Sequence, residues 1–158
     1  MTYKKNIAAV ILFIVILCVF PTLGFAQSSD NYREMKADIL RLVNKHRSDM
    51  GLVALQMNDD ISTGALQHSV EMASKKVAFG HDGFDERIAA IMLKVKPANA
   101  AAENVAEGAK DADDVVALWL HSKGHRENIE GNYNTTGIGI AKANDGTLYF
   151  TQIFIHKK

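Results

Sequence analysis

Two histidines and one glutamate are the residues of this 158-residue chain that best suit chemistry at a shared site. His81 lies in the segment His81-Asp82-Gly83-Phe84, which is flanked by glycine and is predicted to be a loop. Glu103 opens the segment Glu103-Asn104-Val105-Ala106, and His125 follows an apolar run with the only tryptophan. Histidine titrates near neutral pH, and a carboxylate can orient it or share a metal ion with it. We therefore predict a polar site that the fold assembles from three separate segments.

The stretch from Trp119 to Ile129 is interpreted as a helix that ends at a glycine. Gly124 can adopt backbone angles that other residues avoid, so it is predicted to stop the helix and to place His125 on a turn. His121 precedes His125 by four residues, but a glycine between them argues against a shared helix face. His121 is therefore interpreted as an exposed helix residue.

The first 26 residues have the pattern of a secretory signal peptide. A short basic start precedes an apolar stretch over residues 7–20, and small residues precede the predicted cleavage site after Ala26. That stretch is shorter than the roughly 20 residues that span a bilayer comfortably, and an uncleaved anchor is the alternative. We predict that residues 27–158 form one domain that is secreted or periplasmic.

The predicted mature domain contains no cysteine, because Cys18 lies in the leader. Packing without disulfide bonds must therefore hold it together. The chain has 18 basic and 18 acidic side chains, and the leader removes only Lys4 and Lys5 from this balance. Such a surface gives no electrostatic reason to bind nucleic acid or an anionic membrane. We expect a monomer with no nucleic-acid partner and no membrane span after cleavage.

Apolar spacing and capping residues predict the helices of the first two thirds of the chain. They are a helix from Asp30 or Asn31 to Gly51, one after Asn58, one over residues 85–95 and one over residues 111–122. The second helix has a predicted inward stripe of Ile61, Ala65, His68, Met72 and Val77. His68 is interpreted as a packing residue rather than a ligand, and Trp119 as a core residue.

In the last third of the chain, the spacing of the apolar residues changes from that of helices to that of strands. Residues 136–143 and 147–156 are predicted strands, joined by a turn at Asn144-Asp145-Gly146. The second strand is apolar on both faces, so both faces must be covered. Residues 103–107 are either a short strand or an extended loop. Together these elements predict an α+β fold, a three-layer α-β-α sandwich with a small, largely antiparallel sheet.

Eight short segments appear in an order that is typical of one protein family. They are Val43-Asn44-Lys45-His46-Arg47, Gly51-Leu52-Val53-Ala54-Leu55, the Ala65 to Ala73 helix, His81-Asp82-Gly83-Phe84, Glu103-Asn104-Val105-Ala106, Trp119 to Ile129, Gly137-Ile138-Gly139 and Tyr149-Phe150-Thr151-Gln152-Ile153-Phe154. On these residues the chain resembles the CAP superfamily, also called the SCP, pathogenesis-related-1 or cysteine-rich secretory protein family, in its bacterial single-domain type. The resemblance covers about residues 40–154 and implies an α-β-α sandwich.

The resemblance also implies a central cavity lined by two histidines and two acidic residues. His81 and His125 match the histidines, and Glu103 matches one of the acids. The second acid falls at Ser122, where a hydroxyl can donate and accept hydrogen bonds but supplies no charge. One carboxylate is thus left for the site.

Three functions are compatible with these residues. Binding of a small ligand, a lipid or an envelope component needs the fewest assumptions and is the predicted function. His81, Glu103 and His125 are the candidate ligands of a divalent metal such as zinc. The alternative is a weak protease- or esterase-like hydrolase, in which Glu103 orients one histidine and water or Ser122 attacks the substrate. A purely structural role for the polar residues is also open.

Overall fold

The computed structural model describes the backbone of residues 23–158 and the side chains of residues 32–158. The described elements are, in chain order, α1 (Leu23–Asp49), β1 (Gln56–Met57), α2 (Asp59–Ala73), α3 (Phe84–Lys94), β2 (Ala98–Glu107), α4 (Ala112–His121), α5 (Lys123–Glu130), β3 (Thr135–Lys142) and β4 (Leu148–Lys157). Most of the predicted signal peptide over residues 1–26 lies outside the described residues. Within the described part, none of the helices has the length and apolar character needed to cross a membrane.

The four described strands form one sheet in the order β1-β3-β4-β2. β1 pairs parallel with β3, whereas β3 with β4 and β4 with β2 are antiparallel pairs. The central strand β4 is buried on both faces: Phe150 and Phe154 pack with α1, α4 and α5, and Ile153 and Ile155 pack with α2 and α3. The predicted three-layer α-β-α sandwich with a largely antiparallel sheet is confirmed.

The first helix begins earlier than predicted. Its described part starts at Leu23, so the prediction of a cap at Asp30 or Asn31 is wrong. No proline or glycine interrupts residues 25–49, and residues that favour a cap also occur inside a helix when nothing breaks it. The predicted end holds, because Gly51 follows the helix with a φ of 71°.

The buried guanidinium group of Arg47 ties the end of α1 to the segments around it. Nε donates to the carbonyl of Val53 at 2.9 Å, and Nη2 donates to that of Tyr133 at 2.8 Å. Nη1 donates to the carbonyls of Ile129 and Gly131. Burial lowers the pKa of Arg47 from its ordinary value. A planar fork of donors suits several carbonyls at once, so this arginine fixes the C-terminal end of α5.

Helix α2 lies directly against the backbone of β3. Its N-cap is Asn58, as predicted, and the predicted stripe is buried except for Val77, which lies beyond the helix end at Ala73. A Cβ atom at Gly137 would clash with the backbone of Ser62, and one at Gly139 would clash with the backbone of Leu66. Glycine at both positions thus lets helix and sheet approach closely.

Strand β2 is longer than predicted. The strand or loop expected over residues 103–107 is a strand that begins at Ala98 and pairs with β4. Alanine is depleted in strands, so the alanine-rich start has no strand pattern of its own, and pairing with β4 decides its conformation. β2 lies at one edge of the sheet, and Glu103 lies on it.

Candidate functional site

The chain breaks its helix at Ser122 rather than at Gly124. Ser122 has extended backbone angles, φ −88° and ψ 122°, and it separates α4 from α5. Gly124 and His125 both lie inside α5, so the prediction that Gly124 ends a helix and places His125 on a turn is wrong. Serine is a favourable residue at the start of a helix, whereas a glycine inside a helix costs only about 1 kcal/mol.

The buried carboxylate of Glu103 is the centre of the site. Its Oε2 accepts a hydrogen bond from Arg87 Nε at 2.9 Å, and its Oε1 accepts one from Arg87 Nη2 at 2.9 Å. His81 Nδ1 also donates to Oε1 at 3.0 Å. A buried carboxylate is costly unless a cation and hydrogen bonds compensate it, and the two-pronged contact with Arg87 supplies both.

Arg87 was not predicted as a site residue. It lies in α3, one turn after Gly83, whose φ of 72° begins the helix, and its side chain is only 10% exposed. Its Nη1 also donates to the carbonyls of Asp82 and Gly83 at 3.3 Å, so it holds the loop that carries His81. One feature of the sequence could have pointed to Arg87: it lies one helical turn after the glycine-flanked loop that carries His81. Such an arginine more often lies on a solvated helix face.

The contact with Glu103 fixes which nitrogen of His81 is free. Because a carboxylate only accepts hydrogen bonds, Nδ1 must carry the proton, and Nε2 of the neutral ring is then an acceptor. The His81 side chain is 52% exposed. The site therefore offers an oriented imidazole nitrogen on a partly open ring.

His125 approaches His81 from the other layer of the fold. Burial lowers the pKa of His125, and the charge of His81 lowers it further. Both histidines are attached to the edge strand β2: His81 bonds to Glu103, and α5, which carries His125, is hydrogen-bonded to Asn104 and to the carbonyl of Glu103. The structure thus joins His81 to Glu103 directly and brings His125 within electrostatic range of His81.

Asparagine side chains hold α5 against the edge of β2. Asn104 Nδ2 donates to the carbonyl of His125 at 3.0 Å. Asn128 Nδ2 donates to Asn104 Oδ1 at 2.9 Å and to the carbonyl of Glu103 at 3.2 Å. The buried indole of Trp119 donates to the carbonyl of Val105 at 3.2 Å. These bonds protect an edge strand and fix the position of His125 relative to Glu103.

His68 is buried as predicted, yet it also takes part in the site. Its Nε2 donates to the carbonyl of Gly80 at 2.8 Å and lies 3.9 Å from Glu103 Oε1. Its Nδ1 is buried and makes no hydrogen bond. Sequence reasoning treated His68 only as a packing residue, because it falls in the inward stripe of α2.

Two further candidates are less closely attached to this cluster. Ser122 makes no side-chain capping bond to α5, and its hydroxyl is not held in place there. His121 is exposed at the end of α4, as predicted, and its Nδ1 donates to the carbonyl of Ala117 at 2.7 Å.

Metal binding at this site stays a prediction, and Glu103 is the least suited of the three predicted ligands. Among residues 32–158, no group of three or more histidine, cysteine, aspartate or glutamate side chains is arranged to hold a metal ion. Both carboxylate oxygens of Glu103 are engaged by Arg87, so Glu103 does not fit as a ligand. It fits better as the carboxylate that orients His81 by accepting the hydrogen bond from Nδ1, a role common near metal-bound histidines.

We expect acidification to destabilise the fold through His125. Its pKa is lowered in the folded state, whereas the unfolded chain has the ordinary value of about 6.5. Above that value both states are neutral, and as the pH falls through it the unfolded chain binds a proton that the folded state resists. Urea unfolding between about pH 7.5 and about pH 5 should show this loss.

A matched pair of variants identifies the group responsible. His125→Gln should show a flatter loss of stability over this pH window, whereas the exposed His121→Gln should follow the unmodified protein. An unchanged pH dependence in His125→Gln would contradict the assignment.

Comparison with known proteins gives one family and several relatives. The family model described as CAP, the cysteine-rich secretory protein family, matches residues 40–154. The uncharacterized protein YkwD of Bacillus subtilis (strain 168) is 35% identical over 134 residues, which cover 84% of this chain and 50% of that protein. The chain thus spans about half the length of this curated relative.

Two solved structures show the same fold. An extracellular protein containing a SCP domain, from Bacillus anthracis str. Ames, superimposes with a TM-score of 0.71 at 26% identity, covering 87% of this chain and 45% of that one. An outer surface protein from Borrelia burgdorferi gives a TM-score of 0.66 at 21% identity, covering 79% of this chain and 94% of that one.

Proposed function

We propose, since this chain belongs to the CAP superfamily of cysteine-rich secretory proteins, that it is an exported binding module at or outside the cell envelope. Its ligand, a small molecule, a lipid or a divalent metal ion, contacts His81 and His125. The predicted leader over residues 1–26 supports export. So do the solved relatives, which are described as an extracellular protein and an outer surface protein.

The hydrogen bond from His81 Nδ1 to Glu103 carries the proposal of binding at this place. It orients the ring and leaves Nε2 as a lone-pair donor on a half-exposed side chain. His125, whose pKa is lowered, supplies a second imidazole that is neutral at pH 7. An imidazole nitrogen with a free lone pair can accept a hydrogen bond from a polar group or coordinate a metal ion.

A metal ion is one member of this ligand class. When bound, a zinc ion would supply a positive charge and open coordination positions. His81 and His125 would hold it, and Glu103 would keep His81 in the required tautomer. Because only two protein ligands are offered, we expect weaker binding than at a four-ligand structural site.

Zinc chloride is the probe for the histidine pair. Calorimetric titration of the purified protein should show zinc binding that His81→Ala and His125→Ala each weaken by about tenfold or more. His121→Ala removes an exposed imidazole and should leave the affinity unchanged. Thermal unfolding without zinc checks that the variants fold. Retained zinc affinity in both folded site variants would exclude the pair as the binding site, and no zinc binding to the unmodified protein would exclude a metal ligand.

A weak hydrolase is the second candidate, and one observation favours it. The His81–Glu103 contact has the form of a carboxylate that orients a general base, and a neutral His125 could accept a proton at pH 7. Water, or Ser122, would be the nucleophile. Hydrolysis of p-nitrophenyl acetate or casein should then be lost in Glu103→Gln and His125→Ala but kept in His121→Ala. Equal activity in all three would place the reaction elsewhere.

A further inference from the structure

Helices α2 and α3 enclose a groove of about 540 Å³ beside the histidine site. This volume lies within the range of small-molecule sites. The two helices lie close together at Gly64, where an added Cβ atom would lie 2.5 Å from Ile91 Cδ1. Val77 and Ala90 add further apolar lining. The groove therefore has an apolar interior that suits a hydrocarbon chain.

The rim of the groove is acidic. Its lining includes four carboxylates, Asp60, Glu71, Asp82 and Glu86, and two cations, Arg87 and Lys94. Arg87 binds Glu103, Lys94 Nζ lies 3.9 Å from Asp60 Oδ1, and Lys76 Nζ lies 2.6 Å from Glu71 Oε1. In the described part of the chain this leaves Asp82 and Glu86 as the rim carboxylates without an ion pair. An anionic ligand would meet this excess of negative charge, whereas a cationic ligand would be attracted.

The lining also contains a buried histidine nitrogen that has no hydrogen-bond partner. His68 belongs to the lining and is fully buried. Since its Nε2 donates to the carbonyl of Gly80, Nδ1 of the neutral ring is an acceptor, and it makes no hydrogen bond. A buried polar nitrogen without a partner is unfavourable, and a ligand with N–H groups can supply the missing hydrogen bond.

We propose that this groove binds a small cationic amphiphile, an apolar chain that carries one protonated amine. The hydrocarbon chain packs on the Gly64, Ala90 and Ile91 surface, and the ammonium group lies among the carboxylates of the rim. The groove is a second binding site beside the proposed ligand site. Its lining contains neither His81 nor His125, but it shares Arg87 and His68 with the cluster around Glu103.

Octylammonium chloride is the probe, and octanoate and octanol are its matched controls. The three molecules share a chain length and differ in charge, so calorimetric titration separates the electrostatic from the apolar contribution. We expect octylammonium to bind about tenfold more tightly than octanoate, with octanol between them. Octanoate binding equal to or tighter than octylammonium binding would overturn the proposal, as would no octylammonium binding at all.

Neighbouring residues of α3 provide matched variants. Ala90 lines the groove and Ala89 does not, and both are exposed. Ala90→Phe should fill the groove and weaken octylammonium binding by about tenfold, whereas Ala89→Phe should not. If both variants keep the affinity of the unmodified protein, the amphiphile does not bind in this groove.

A second pair tests the charge of the rim. Glu86 lines the groove and Asp85 does not, although both are exposed in the first turn of α3. Glu86→Gln should weaken octylammonium binding by about threefold, and Asp85→Asn should leave it unchanged. Octylammonium binding is measured without zinc, so failure of this proposal and failure of the zinc experiment are distinguishable. Equal losses in Glu86→Gln and Asp85→Asn would mean that general surface charge, and not this rim, attracts the ligand.

Discussion

Gly139→Ala is expected to lower the free energy of unfolding by about 3 kcal/mol or more, because the new methyl group meets backbone rather than a movable side chain. The added Cβ atom would overlap the backbone of Leu66 and Ala65 in α2. Helix α2 would have to move away from β3, which would loosen the packing of Ala65 and His68. Urea unfolding monitored by circular dichroism measures the loss.

Gly124→Ala is the matched control for this substitution. Gly124 lies inside α5, and no atom lies within 4 Å of the position of an added Cβ. Alanine there should stabilise the protein by about 0.5–1 kcal/mol, since it favours the helix more than glycine does. If Gly139→Ala and Gly124→Ala had similar effects, close contact between α2 and β3 would not be what requires glycine at position 139.

Arg87→Met is expected to destabilise the fold by about 3 kcal/mol or more, because it leaves the charge of Glu103 buried without its cation. The methionine keeps much of the length and apolar character of the arginine stem, so the change mainly removes the guanidinium group. The carboxylate would retain the bond from His81 but lose both contacts at 2.9 Å. Urea unfolding at neutral pH measures the effect.

A second substitution separates the lost charge pair from lost packing. In Arg87→Met combined with Glu103→Gln, no buried charge is left unpaired, so the double variant should be more stable than Arg87→Met alone by about 1 kcal/mol or more. An additive loss in the double variant would show that Arg87 acts through packing alone. Arg41→Met, which removes an exposed arginine of α1, should have little effect on stability.

The layers of the fold could be predicted because local patterns and tertiary packing agree in them. Apolar residues on both faces of the segment over 147–156 require cover on both sides, and β4 has that cover. The capping residues Asn58 and Asp111 start α2 and α4, and each side chain accepts a bond from the helix. Where the sequence pattern was weak, as in the alanine-rich start of β2, pairing with a neighbour decided the structure.

The candidate site could be predicted only in part, because its residue types are visible in the sequence and its partners are not. His81 and Glu103 were expected to converge, and the structure joins them. The role of Arg87 could not be read, since an arginine on a short helix has no sequence signal for burial beside a carboxylate 16 positions away. Gly124 was misread because a serine two residues earlier takes the extended angles that break the helix.

Determining the tautomer of His81 is the most direct test of the proposed site, because the tautomer decides which ring nitrogen is free to contact a ligand. Long-range ¹H–¹⁵N spectra of the purified protein at about pH 8 report which imidazole nitrogen carries the proton. We predict that His81 is protonated at Nδ1, and that zinc chloride shifts the signals of His81 Nε2 and His125 at the same zinc concentration. A His81 ring protonated only at Nε2 would contradict the proposed site, and zinc that binds without shifting either histidine would place the metal ion elsewhere.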